Sequence, residues 1–151
     1  MEQRVLHTVL VIEDNSDDAS LMQRAIEKAG IKGAIHIVND GKQALEYLKG
    51  VAPFEDRKSF PVPGLVLLDL QLPEMHGLKV LEWIRSQPQF SSLVVVVFSS
   101  SNNASDVQLA YKLGCNSYLL KPATLDLLYE TVGTIAAYWL TLNQWPQPPA
   151  S

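Results

Sequence analysis

The chain has a single cysteine, no apolar run long enough to cross a bilayer and no excess of basic residues. Each lack closes off a class of function. One thiol, Cys115, cannot form an intramolecular disulfide, which fits a reducing compartment and an expected cytoplasmic location. Beside Gly114 and just ahead of an apolar run, it is expected to be a small buried residue and not a nucleophile. No stretch approaches the roughly 20 apolar residues of a bilayer helix. The opening Met1-Glu2-Gln3-Arg4 is too short and polar for a secretion signal. Twelve Lys and Arg against sixteen Asp and Glu give a net charge of −4, so neither a nucleic acid nor a membrane surface is an expected partner. The three histidines, His7, His36 and His76, have no metal-ligand spacing and are expected to be structural or exposed. With 151 residues, 47% of them hydrophobic, the chain has enough material for one well-packed domain and little more.

What is present is an alternation of strand-like and helix-like segments from end to end. That pattern predicts an α/β protein, a parallel sheet with helices on both faces. Strands are expected at about residues 8–12, 34–38, 64–69, 93–98 and 117–120. Helices are expected from Asn15 or Ser16 to the stop at Gly30, then at 41–48, 77–86, 104–113 and 124–142. In the last of these, Leu125, Leu128, Val132, Ile135, Trp139 and Leu142 recur at steps of three and four and predict one core-facing stripe. Residues 51–63 interrupt the rhythm with three prolines and the charged cluster Glu55-Asp56-Arg57-Lys58, and are expected to form a solvated surface loop. Trp145-Pro146-Gln147-Pro148-Pro149 cannot continue a helix and is expected to be a loose tail. The expected organisation is an extension at 1–6, one domain at 7–143 and a flexible tail at 144–151, with no output domain.

The strands carry chemistry at their carboxyl ends. Val9-Leu10-Val11-Ile12 runs into Glu13-Asp14, Gly64-Leu65-Val66-Leu67-Leu68 into Asp69, the fourth strand into Ser99, and Tyr118-Leu119-Leu120 into Lys121-Pro122. A parallel sheet aligns these ends along one edge, where open α/β proteins keep their sites. Three carboxylates crowded there repel one another unless a cation intervenes, and hard oxygen ligands of this kind suit Mg²⁺ or Mn²⁺. The ion would allow Asp69 to attack a phosphoryl group, Lys121 to hold one phosphoryl oxygen and the Ser99 hydroxyl to donate to another.

In these residues the chain resembles the receiver domain of bacterial two-component response regulators over about residues 9–142. The acidic pair Glu13-Asp14, Asp69 with Leu72-Pro73 and Gly77 after it, Ser99, Tyr118 and Lys121-Pro122 stand in that family's order and spacing. The resemblance implies a flavodoxin-like doubly wound fold with five parallel strands and five helices. It implies that Asp69 accepts a phosphoryl group from a sensor histidine kinase. It further implies Mg²⁺ held by Asp14, Asp69 and the Gln71 backbone carbonyl, with Glu13 acting mainly through water. It implies, too, that on phosphorylation Ser99 is drawn to the phosphate and Tyr118 turns inward, which changes a surface offered to a partner or a second copy. His76 departs from the family's usual Asp, with little expected consequence. Gln71 and Ser101 lie where the family tunes phosphoryl lifetime, and Ser100 replaces the usual Ala. The long 51–63 loop and the extended last helix are similar to those of single-domain regulators paired with bacteriophytochromes and hybrid kinases, the cyanobacterial phytochrome regulator among them.

Plainer readings stand beside each of these. Asp69 could cap the following helix, Lys121 could be a solvated lysine, Tyr118 could simply pack, and the three consecutive serines leave room for the register to slip. Tyr138 falls off the core stripe and could serve an interface. Two other functions compete with a signalling module that at most slowly loses its own phosphate. One is a phosphorylation-independent scaffold. The other is an aspartate-nucleophile phosphohydrolase of the haloacid dehalogenase type, against which Gln71 stands, because it cannot act as the general acid.

Overall fold

The computed structural model describes residues 7–31 and 33–146. The expected extension at 1–6 and the last five residues of the expected tail lie outside that range. Five strands, β1 (Val9–Ile12), β2 (Ile35–Val38), β3 (Leu65–Asp69), β4 (Val94–Ser99) and β5 (Ser117–Leu120), form one sheet in the order β2-β1-β3-β4-β5. Every pairing is parallel. Helices α1 (Ser16–Lys28), α2 (Gly41–Lys49), α3 (Gly77–Ser86) and α4 (Ala104–Leu113) make the four crossovers, and α5 (Leu125–Ala137) follows the last strand. The doubly wound receiver topology expected from the sequence is therefore the observed one, and the strand order reverses between β1 and β3.

The three central strands are buried on both faces, which is why they carry unbroken apolar runs. Successive side chains point to opposite faces. Val9, Val11, Leu65, Leu67, Val94, Val96 and Phe98 join the layer under α1 and α5, with Met22, Ile26, Leu128 and Val132. Leu10, Ile12, Val66, Leu68, Val95 and Val97 join the opposite layer with Tyr47, Leu81 and Ile84. Each helix begins on a side chain that accepts one of its free N–H groups: Asn15, Asp40, His76, Asn103 and Thr124. His76 is exposed, as expected, and its Nδ1 takes the Leu78 N–H at 3.1 Å. Cys115 is buried, also as expected.

Three expectations need correction. The last helix runs on to Leu142 as expected, but not as the regular α-helix whose stripe the sequence predicts: α5 ends at Ala137 and widens into a π turn, Tyr138–Leu142. That turn shifts the register, so Leu142 is 71% exposed, and Leu125 in the first turn is 58% exposed. Between them Leu128, Val132 and Ala136 carry the buried stripe. A 3-10 turn, Pro88–Phe90, which was not anticipated, seats Phe90 in the core.

The 51–63 loop is also more than a solvated charge run. The Arg57 guanidinium donates to the carbonyls of Tyr47 at 2.9 Å, Phe60 at 3.1 Å and Leu48 at 3.0 Å. It thereby satisfies the free end of α2 and closes the loop upon itself. Phe54 and Phe60 stack around Tyr47, whose hydroxyl reaches the Pro61 carbonyl at 2.8 Å. At Trp145, finally, the expected loose tail is packed: its ring lies 4.1 Å from that of His7 and 6.3 Å from that of Trp139.

Candidate functional site

Strand register brings the expected residues to one edge. Ile12 pairs with Leu68, so Glu13 and Asp69 emerge at the same level from neighbouring strands. Asp69 pairs with Phe98, Phe98 with Leu119 and Ser99 with Leu120, so Ser99 stands one step further out and Lys121 two. The approach of α3 to this edge depends on Gly77. A Cβ there would lie 2.5 Å from the Asp69 carbonyl and 2.7 Å from Leu70 Cα, so a larger residue would push α3 off the strand that carries Asp69.

Ligand oxygens of Glu13, Asp14 and Asp69 all lie within 4.8 Å of one another. Asp14 is exposed, whereas Glu13 and Asp69 are 2% and 4% exposed. The Lys121 ammonium bridges the buried carboxylates, 2.6 Å from Glu13 Oε1 and 3.2 Å from Asp69 Oδ2. It also lies 3.1 Å from Asp18 Oδ2, on the first turn of α1. The Asn15 N–H donates to Glu13 Oε2 at 3.0 Å, and the Gln71 N–H to Asp69 Oδ1 at 3.0 Å.

Burial pushes the Glu13 carboxyl up to about 7, although Lys121 and the Asn15 N–H pull it down, and the Asp69 charge raises it further. For Lys121 burial acts to lower the pKa. The Glu13, Asp69 and Asp18 carboxylates more than offset it and hold the ammonium well above its ordinary value. One ammonium among four carboxylates leaves the site negative.

The rim of the site is a hydrogen-bonded loop system. Ser99 is fully buried, and its Oγ accepts the Ser101 N–H at 3.0 Å. Ser101 donates its hydroxyl to Asp106 at 2.8 Å, and its carbonyl accepts the Tyr118 hydroxyl at 2.9 Å. Ser100 is exposed and donates to Gln71 Oε1 at 2.5 Å. Of the residues expected from the sequence, Glu13, Asp14, Asp69, Ser99 and Lys121 gather at this edge. Gln71 holds Asp69 through its N–H, and Tyr118 reaches the rim through its hydroxyl. Sequence reasoning missed Asp18 as a partner of Lys121. It also missed the bond from Ser100 to Gln71, for which spacing along the chain carries no signal.

The chain matches the response regulator receiver domain over residues 9–133. It belongs to that family. The receiver is 39% identical over 140 residues to a probable methanogenesis regulatory protein, FilR2, of Methanothrix harundinacea (strain 6Ac). That alignment covers 93% of this chain and 88% of FilR2. It is 35% identical over 132 residues to the response regulator Rcp1 of Synechocystis sp. (strain ATCC 27184 / PCC 6803 / Kazusa), covering 87% of this chain and 88% of Rcp1. The Mn²⁺-bound form of Rcp1 superposes with a TM-score of 0.86, with 93% of this chain and 99% of that one covered at 33% identity. The phosphorylated cyanobacterial phytochrome response regulator RcpA gives 0.88, with 95% of this chain and all of that one covered, also at 33% identity.

Receiver domains are phosphoaccepting signalling modules and not turnover enzymes, and this chain has their fold and their acid cluster. The donor set fits a hard divalent cation: it offers carboxylate oxygens alone, and the costly ionised state of Glu13 is one that a cation would relieve. Among the described residues no helix is long and apolar enough to cross a membrane.

Proposed function

We propose that Asp69 is the phosphoacceptor and that a sensor histidine kinase is its donor. The observation that carries this reading is the meeting, on one sheet edge, of three carboxylates, the Lys121 ammonium and the buried Ser99 hydroxyl. In the transfer an Asp69 carboxylate oxygen attacks phosphorus in line as the phosphorus–nitrogen bond to the kinase histidine breaks, the electron pair returning to the imidazole. Lys121, freed from Asp69, holds one phosphoryl oxygen, and Ser99 donates its hydroxyl to another. The ion would be Mg²⁺, with Mn²⁺ able to replace it, and Asp14, Asp69 and the Gln71 carbonyl would hold it, with Glu13 acting mainly through water. Bound there, it offsets the negative charge that otherwise opposes the meeting of two anions.

Drawing Ser99 toward the phosphate breaks its bond with Ser101, releases Tyr118 from the Ser101 carbonyl and biases a two-state surface. That surface serves a downstream partner or a homodimer, and sedimentation with and without a beryllofluoride phosphate mimic tests the second case. The likeness to RcpA, a phytochrome response regulator, supports a kinase of the bacteriophytochrome or hybrid type. The receiver unit spans 7–143 and acts in the cytoplasm. Phosphotransfer profiling against purified histidine kinases tests the reading, with Asp69→Asn as control. It predicts rapid labelling by one or a few kinases and none in the variant. Labelling that persists in Asp69→Asn contradicts it.

A further inference from the structure

The sheet has a second edge, at the amino ends of its strands, and a pocket lies there, away from Asp69. Val9 pairs with Leu65 and Leu65 with Val94, so the segments leading into β1, β3 and β4 meet at one level. They enclose a pocket of about 300 Å³ whose lining includes His7, Pro63, Gly64, Phe90, Leu93 and Trp145. That volume is at the lower end of the range for small-molecule sites. Glycine at position 64 leaves room for the His7 ring, since a Cβ there would lie 3.1 Å from His7 Nδ1.

Three features define what this pocket accepts. Its walls are rings and aliphatic groups: Trp145 stacks on His7 at 4.1 Å, and Phe90 and Leu93 belong to the core. Among the described residues no Lys, Arg, Asp or Glu lines it, and Gln89 and Ser92 are its polar side chains beside His7. A charged ligand would lose water there without gaining an ionic partner, which is costly. The third feature is a donor. Trp145 Nε1 is buried and meets no acceptor among the described residues. An indole N–H can only donate, and buried polar groups are nearly always paired, so this one calls for an oxygen from outside the chain.

We infer that the pocket binds a neutral, planar aromatic molecule bearing a carbonyl oxygen. Its rings pack on the apolar walls, and its oxygen accepts the Trp145 N–H. The uncharged lining excludes phosphates and nucleotides, so the ligand differs in chemistry from anything the acidic edge would hold. Both edges are built on β1, β3 and β4, yet binding at this one uses no side chain of the Asp69 site. A ligand held only by the folded chain also stabilises it by mass action, which makes the pocket a second input to the domain.

Titration of the full chain with prodan, a neutral naphthalene ketone whose emission rises and shifts to the blue as it leaves water, tests this. The dye is expected to bind saturably, one per chain, and to Asp69→Asn as tightly as to the parent. Trp145→Phe keeps a ring and removes the donor, and weakens binding about three- to tenfold, the range one net hydrogen bond supplies. Dimethylaminonaphthalene, the same ring system without the ketone, is measured by its displacement of prodan. It has one affinity for parent and Trp145→Phe, because that bond was never part of it. Circular dichroism checks that both variants fold. Unchanged prodan affinity in folded Trp145→Phe, or an equal loss with both compounds, overturns the inference. So does a full chain that gives no saturable emission change. Affinity that falls as the protein is concentrated assigns the pocket to a second copy of the chain and overturns it too. None of these outcomes bears on Asp69 as phosphoacceptor.

Discussion

Lys121 is the residue on which the site's charge balance turns. Its ammonium sits among Glu13, Asp18 and Asp69 with its side chain 16% exposed. Removing one partner of a buried ionic cluster costs more than the cluster contributes, because like charges are left facing one another. Lys121→Met is therefore expected to lower the stability of the metal-free protein by about 3 kcal/mol in urea unfolding, and added Mg²⁺ to restore part of the loss. An unchanged midpoint would argue against the bridging role. Glu13 makes a prediction in pH. Its carboxyl is held at about 7 in the folded chain, above its ordinary 4.5. The folded state thus keeps a proton that the unfolded state releases. That stabilising contribution is fully present below about pH 4.5 and is lost as pH rises through about 7. Stability of the parent relative to Glu13→Gln, in a chelator, should decline across that window. Divalent-ion affinity should rise over the same interval, since binding displaces the proton. Stability curves that run parallel in parent and variant would contradict the account of Glu13.

Between strands and loops, the extent to which structure was legible differs for a physical reason. The strand runs and the α3 and α4 boundaries were readable because burial on both faces, capping side chains and terminal glycines leave local marks. The π turn at Tyr138–Leu142 was not, because the apolar spacing continues through it and the widening shows only in the backbone, where the Asn143 N–H donates to the Tyr138 carbonyl at 2.7 Å. Pro88–Phe90 is a single turn, too short for any periodicity. Among Ser99, Ser100 and Ser101, sequence alone could not fix which hydroxyl faces inward. Ser99 alone of the three is fully buried, which decides it. Arg57 is the clearest case: within a charged run it looks solvated, and its three carbonyl partners are visible only once α2 and the loop fold together. Arg57→Ala should lower stability by about 2 kcal/mol, by leaving carbonyls at the end of α2 unsatisfied. Arg57→Glu in place of Ala should be no milder. Urea midpoints within experimental scatter of the parent would show the loop to be energetically idle.

For the molecule as a whole, doubly wound topology is what converts a scattered set of residues into one site. Glu13 and Lys121 are more than a hundred positions apart in the sequence, yet they touch because β1, β3, β4 and β5 run side by side in the same direction. The same sheet links the site to Tyr118, whose hydroxyl on the Ser101 carbonyl ties β5 to the rim, so charge added at one edge has a short mechanical route to the outer surface. The fold, the acid cluster and the ammonium were legible because each lies at a strand end. The contacts of Asp18, Ser100 and Arg57 were not, because they depend on distances that only the packed chain defines. The account stands or falls on where phosphate lands. Intact-mass analysis after incubation with acetyl phosphate and Mg²⁺, followed by peptide mapping, should find a single phosphoryl group on Asp69, not formed when a chelator is present throughout the incubation and absent from Asp69→Asn. A folded protein that takes no label, or one labelled equally after Asp69→Asn, would contradict it.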